Sequence, residues 1–213
     1  MKLPASFAAD AARLGVTIEP EATARFERLG AELIDWNQRL NLTAIDDPAR
    51  IVTHHFLDSL SAAARLQGRT IADVGTGGGF PGLPLAIVRP DARFTLIDSV
   101  QKKLRFVDHA VQALGLANVV TQHARVEQLS PSVPFDTVIT RAFAPLPRLA
   151  RWVQPLCGPR TAVIAMKGRW PEVPRDATPE ALPRGWSIVD VTRVEVPGLD
   201  AERHLVQLAF RPG

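Results

Sequence analysis

An apolar run beginning at Ile71 leads into DVGTGGGFPG, residues 73 to 82, and Leu83 to Val88 then resume an apolar pattern. The order is strand, glycine-rich turn and helix start, which is how a nucleotide-binding turn reads in an α/β protein. Glycines in such a turn permit positive φ and let the backbone approach a ligand closely, while N–H groups at the helix start favour electron-rich groups.

Two templates fit the glycines. Gly77, Gly79 and Gly82 satisfy dinucleotide-binding spacing, while Asp73, Gly75, Gly77 and Gly79 satisfy the acidic-x-Gly-x-Gly-x-Gly spacing of S-adenosylmethionine enzymes. The context adds ARFTLID, residues 92 to 98, as the next strand, ending in Asp98. A carboxylate about 20 residues beyond the turn can accept both ribose hydroxyls; the alternative is that Asp98 caps a helix starting near Ser99.

The chain has 213 residues and is 46% hydrophobic, enough for a substantial core. A single cysteine, Cys157, excludes an intramolecular disulfide and a four-cysteine zinc site, so no metal is expected and a reducing compartment fits. Asp10, Arg13 and Glu19 interrupt any signal-like apolar stretch, and no later segment reads as a membrane span. The expectation is a soluble cytoplasmic protein without membrane contact. From Arg141 to Arg175, seven basic residues (Arg141, Arg148, Arg151, Arg160, Lys167, Arg169, Arg175) face only Glu172 in acid count, suggesting one basic face for phosphate contact.

Phe26, Leu29, Leu33, Trp36 and Leu40 recur at helical steps within residues 20 to 40, with Pro20 and Glu21 in the first turn. A second helix starts near Pro48 and carries Val52, Phe56, Leu60 and Ala63 or Ala64 on one stripe, Asp47 serving as N-cap. Residues 1–68 are therefore expected to form a helical extension packed on a core of residues 69–213. Strands are expected near 70–74, 92–98, 118–121, 135–140 and 160–166, alternating with helices as in a parallel sheet covered on both faces. WSIVDVTRVEV and RHLVQLAF follow, joined by a connection too short for a helical crossover, so they should pair as a hairpin. The Pro-rich stretch from Pro171 to Pro183 reads as a loop.

Other chemistries lose support on particular residues. A short-chain dehydrogenase needs a catalytic tyrosine, and the chain has none; a P-loop needs Lys-Ser or Lys-Thr after its glycines, and Leu83-Pro84 stand there. WNQRLNLTAI, HHFLDSL, DVGTGGGFPGLPLAI, LIDSVQKKLRF, ARVE, ITRAFAPL, AMKG and ERHLV occur in order along nearly the whole chain. In these segments the chain resembles the bacterial small-subunit rRNA guanine-N-7 methyltransferase family, RsmG, also called GidB. The resemblance implies a class I S-adenosylmethionine-dependent fold: a mostly parallel seven-stranded sheet with a C-terminal antiparallel hairpin and an N-terminal helical layer. It also implies methyl transfer to N-7 of a guanine in 16S rRNA, in a small-subunit or assembly context.

Matched by position, the resemblance assigns donor contacts to Gly75, Phe80, Val126, Glu127 and Arg141. Asp73, Gly77, Gly79 and Asp98 join them from the turn and ribose readings above. Arg141 and Lys167 are expected to position guanine or phosphate, and Asn41, Thr43, His55, Arg203 and His204 are candidate RNA contacts. His54 and Asp58, spaced i, i+4, can pair along one helix face. His204 also reads as a satisfied edge-strand residue, Trp36 as packing, and Phe143 as a possible stacking ring for a splayed base. Gly78 stands where some family members carry Pro. A monomer is expected, and the competing readings are a small-molecule methyltransferase or a noncatalytic RNA-binding assembly protein.

Overall fold

The computed structural model describes residues 1–141, 144–170 and 182–211. Seven strands form one sheet: β1 (Thr70–Val74), β2 (Arg93–Asp98), β3 (Val119–His123), β4 (Thr137–Arg141), β5 (Ala162–Lys167), β6 (Trp186–Arg193) and β7 (His204–Phe210). Their spatial order is β3-β2-β1-β4-β5-β7-β6. The first five are parallel, and β7 runs antiparallel to both β5 and β6. The chain winds outward one way from β1 through β3 and the other way from β4, so the switch point lies between β1 and β4. Ligands of open α/β sheets bind in the crevice outside the strand C-termini at that point.

Burial explains the strand sequences. Every residue of β5 is buried, as expected of a strand covered on both faces, whereas in β6 only Trp186 is buried and the following positions alternate between exposed and half-buried at the sheet margin. A bulge between Ile188 and Asp190 interrupts its pairing with β7.

A series of helical segments precedes the sheet. Helix α1 (Phe7–Arg13) has no counterpart in the sequence expectations, and α2 (Pro20–Leu40) matches the predicted span. The stretch from Pro48 contains α3 (Pro48–Ile51), a π-helical segment (Val52–Leu57) and α4 (Asp58–Leu60). Asp47 caps it through a 2.9 Å bond from Arg50 N–H. Its stripe is Val52, Phe56 and Leu60; beyond Leu60 the chain turns, leaving Ala63 half-buried and Ala64 exposed. Phe7, Phe26 and Phe56 meet edge-on or tilted at centroid distances of 5.1 to 6.4 Å, and Phe56 lies 6.4 Å from Phe80 in the glycine turn. Each buried ring contributes roughly 1.5–3 kcal/mol relative to exposure, so the N-terminal layer is anchored at the turn itself.

Helices α5 (Gly82–Val88), α6 (Gln101–Leu114) and α7 (Leu146–Val153) cover the sheet. Trp36 of α2 packs on Phe106 and His109 of α6 at 5.9 and 4.9 Å, confirming it as a packing residue.

Candidate active site

The glycine turn begins where β1 ends. Gly75, Gly77 and Gly79 have φ of 71°, 59° and 86°, in the left-handed region. A Cβ on Gly79 would stand 2.3 Å from Leu83 Cδ1, whereas one on Gly77 would meet only Gly75 O, at 4.0 Å. The space above Gly77 is open to a ligand. Gly75 N–H and Thr76 N–H donate to Ile97 O at 2.9 and 3.1 Å, tying the turn to β2.

Two carboxylates brace it. Asp98 Oδ2 accepts from Gly77 N–H at 2.8 Å, and Asp98 Oδ1 accepts from Val100 N–H at 2.8 Å. Helix α6 starts only at Gln101, so Asp98 is not its N-cap; it joins the turn to the start of that helix. Asp73 Oδ2 accepts from Thr76 Oγ1 at 2.6 Å and from Gly82 N–H at 2.8 Å. Asp73 Oδ1 is buried with no partner among the described residues. Burial pushes the Asp73 carboxyl up to about 6, against the opposing bonds from Thr76 and Gly82 and the Arg141 charge.

A cleft of about 390 Å³ opens beside the turn, lined by Gly75, Asp98, Val100, Lys103, Val126 and Glu127. Val126–Gln128 form one 3₁₀ turn after β3. Buried Val126 and Ile97 offer apolar surface for a planar ring, with the Asp98 and Glu127 carboxylates as acceptors. This volume and mixture suit a nucleoside.

The C-terminal ends of β4 and β5 bring a second group together. Arg141 Nη1 donates to His54 O at 2.8 Å and to Asp58 Oδ2 at 3.1 Å, and Arg203 Nε donates to Asp58 Oδ1 at 2.7 Å. The expected His54–Asp58 pair is absent: His54 Nδ1 lies 2.7 Å from Thr53 Oγ1, and Asp58 serves the two arginines. The π-helical segment alters the i, i+4 alignment on which that pairing depended. Lys167 Nζ donates to Ala144 O at 3.0 Å. A cavity of about 400 Å³ is lined by Arg141, Lys167, Arg203, Asp58, Met166 and Ile45. Three cations against one carboxylate make it electropositive, and Met166 and Ile45 supply apolar surface.

His55 stands between the two groups. Its ring stacks on Phe80 at 4.6 Å and 15°, and Arg141 Cζ lies 5.5 Å from the Phe80 centroid. Burial, then the Arg141 and His54 charges, hold His55 down to about 3, so it is neutral at pH 7. A smaller cavity of about 200 Å³ shares Gly75 with the cleft beside the turn and shares His55 and Arg141 with the electropositive cavity. The three spaces therefore adjoin one another near the strand C-termini.

Thr43 also lines the small cavity. Asn41 does not line these spaces: it is the left-handed C-cap of α2, with φ 48°, and is exposed. His204 Nδ1 bonds Gly168 O at 2.8 Å, so it is satisfied as expected, but β7 is an interior strand rather than an edge. Among the described residues, the basic side chains of this stretch do not all share one face. Arg141 and Lys167 turn into the electropositive cavity, whereas Arg160 acts on Asp136 beside the start of β4, at the opposite end of the sheet. Phe143, Glu172, Arg175 and most of the Pro-rich stretch lie outside the described residues. Sequence reasoning missed Asp58 as the shared anchor and Met166 and Ile45 as apolar lining. HHFLDSL and AMKG marked the segments, but only the fold brings them together. Among the described residues, no group of three or more His, Cys, Asp or Glu could hold a metal, and no helix is long and apolar enough to cross a membrane.

Solved structures share this architecture. A S-adenosylmethionine-dependent methyltransferase from Aquifex aeolicus matches with a TM-score of 0.55 at 20% identity, covering 80% of this chain and 97% of that one. Another from Thiobacillus denitrificans, in complex with S-adenosylhomocysteine, matches with a TM-score of 0.51 at 14% identity, covering 73% and 90%. The fold is thus that of the class I S-adenosylmethionine-dependent methyltransferases.

Sequence comparison is more specific. The family model described as rRNA small subunit methyltransferase G matches residues 22–206. The ribosomal RNA small subunit methyltransferase G of Nitrosococcus oceani is 48% identical over 176 residues, covering 83% of this chain and 80% of that protein. That of Azoarcus sp. is 44% identical over 199 residues, covering 93% and 92%. The chain belongs to the rRNA small subunit methyltransferase G family, as the NLT, TRAF and RHLV segments implied.

Proposed function

We propose that this protein transfers a methyl group from S-adenosylmethionine to N-7 of one guanine in 16S rRNA. The observation that carries the reading is three adjacent cavities that share Gly75, His55 and Arg141 as walls. The open space above Gly77 and the nucleoside-sized cleft support adenosine binding, with Asp98 accepting ribose hydroxyls and Val126 and Glu127 beside the adenine. Gly75, Phe80 and Arg141 border the methionine end, and Asp73 holds the turn from beneath. The electropositive cavity then receives the base, positioned by Arg141 and Lys167, with Arg203 held toward it by Asp58.

When bound, S-adenosylmethionine supplies an electrophilic sulfonium methyl group. Guanine N-7 presents an in-plane lone pair without a proton, so no general base is required. The residues accord with this. His55, the ring nearest the junction, has both nitrogens engaged and stays neutral, while the arginines are donors only. Alignment is the main contribution asked of the protein, and proximity can supply about 7–11 kcal/mol in favourable systems. A cation at the guanine O6 would oppose the positive charge developing on the ring, so Arg141 and Lys167 position rather than accelerate electrostatically. The proposal extends to a cytoplasmic monomer, to one folded unit spanning residues 1–68 and 69–213, and to rRNA in a small-subunit context.

The test is transfer of labelled methyl to 16S rRNA from a strain lacking the modification, followed by nucleoside mapping. Label in 7-methylguanosine is expected. Label in another nucleoside, or none despite intact donor binding, would overturn the reading. Arg141→Ala should lose transfer while keeping the fold, and unchanged turnover would remove Arg141 from the site.

A further inference from the structure

The polar groups around the small cavity have fixed proton directions, and following them assigns one side chain. Arg141 Nη2 lies 3.3 Å from His55 Nδ1. A guanidinium only donates, so Nδ1 is the acceptor and the neutral ring carries its proton on Nε2. Nε2–H therefore donates to Thr43 Oγ1, at 3.0 Å. The same oxygen accepts the Ile45 N–H at 3.0 Å. With two lone pairs occupied, the Thr43 hydroxyl has only its proton left to offer. The Thr43 backbone N–H and carbonyl are both paired with the Asn37 amide, at 2.9 and 3.0 Å, which pins the residue in place.

Thr43 lines the cavity bounded by Gly75, Gly77 and Gly78, and not the one bounded by Lys167 and Arg203. Leu33, Leu42 and Phe80 are its apolar walls, and Thr76 directs its own hydroxyl proton to Asp73. Among the described residues, the side-chain groups left to act there are the Thr43 O–H and the remaining Arg141 N–H groups, donors in both cases. A donor-lined space beside a guanidinium selects an anionic acceptor.

We propose that the Thr43 hydroxyl donates to the carboxylate of the methionine portion of S-adenosylmethionine, with Arg141 beside it and His55 setting the direction of the donation. This rests on the methyl-donor reading above and replaces the RNA contact expected for Thr43 from sequence.

Calorimetric titration of the full chain with S-adenosylhomocysteine and with its decarboxylated analogue, which keeps the adenosine, thioether and amine, tests the assignment. Thr43→Val should weaken S-adenosylhomocysteine binding about 10- to 100-fold, the size of one hydrogen bond to a charged group. The same variant should bind the analogue within about twofold of wild type, and Thr43→Ser should stay within about threefold for both ligands. Equal weakening toward both ligands, or none toward S-adenosylhomocysteine, would overturn the assignment. A wild-type chain that binds neither ligand would overturn the methyl-donor reading and this assignment with it.

Discussion

Replacing Asp73 with Asn isolates the consequence of keeping a buried charge beneath the glycine turn. Burial holds the folded-state carboxyl at about 6, against 3.8 for the unperturbed group. Because the folded value is the higher one, its stabilising contribution is complete below about 3.8 and is lost as pH rises through about 6. The full difference is about 3 kcal/mol, of which roughly half is recovered between pH 8 and pH 5. His55 acts with the opposite sign. Its folded value of about 3 lies below the ordinary 6.5, so its contribution is present above 6.5 and lost as pH falls through about 3. At pH 5 that loss is about 2 kcal/mol, which masks Asp73 in the wild type alone. Comparing Asp73→Asn with wild type at each pH removes the His55 contribution. At pH 8 the variant sheds the buried charge but places an amide N–H₂ where Oδ1 has no partner, a penalty of about 1–3 kcal/mol, so the two proteins should be similar. At pH 5 the gap should move against the variant by about 1–2 kcal/mol in urea unfolding. A gap identical at both pH values refutes the argument.

Further outcomes follow from neighbouring positions. Gly78 lies outside the left-handed region and its added Cβ would make ordinary contacts, 3.6 Å from Phe80, so Gly78→Ala should raise stability by about 0.4–1 kcal/mol in thermal melts. Gly79→Ala, at φ 86° and against Leu83, should instead lower it by about 1–3 kcal/mol. Asp58→Asn should reduce methyl transfer and cost about 2 kcal/mol by denaturant titration. That is less than for a fully buried pair, because the side chains of Arg141 and Arg203 keep 20% and 23% exposure. Nitrogen-15 spectra of His55 should show the Nε2–H tautomer persisting at pH 5, and protonation near 6.5 would contradict its burial against Arg141. Deleting residues 1–68 should abolish cooperative unfolding, because Phe7, Phe26 and Phe56 pack in the same core as Phe80; a folded fragment would disprove the single unit.

Local sequence carried most of the architecture. Helix α2 is visible because its apolar residues follow one helical period, and the strands because their apolar runs end at glycine, proline or polar residues. The turn from Asp73 to Gly82 was legible for the same reason: φ signs, helix start and acidic anchor all lie within ten consecutive residues. Family-specific segments added the rRNA methyltransferase identity, which the turn alone does not carry.

What tertiary structure decided are relations between distant residues. Asp58 meets Arg141 and Arg203 across separations of 83 and 145 positions, and no local pattern specifies such a contact. The π-helical segment redirected Asp58 from the helix-face partner that i, i+4 spacing suggested, and the winding of the sheet sent Arg160 to the end opposite Arg141. Thr43 likewise could be picked from its motif, but the direction of its hydroxyl depends on a guanidinium fixing a histidine tautomer. Sequence by itself determined the elements and the methyl-donor turn, because backbone preference and periodicity act between near neighbours. Proton direction, charge pairing and the adjacency of three cavities were left to the fold, because each depends on side chains brought together by strand order.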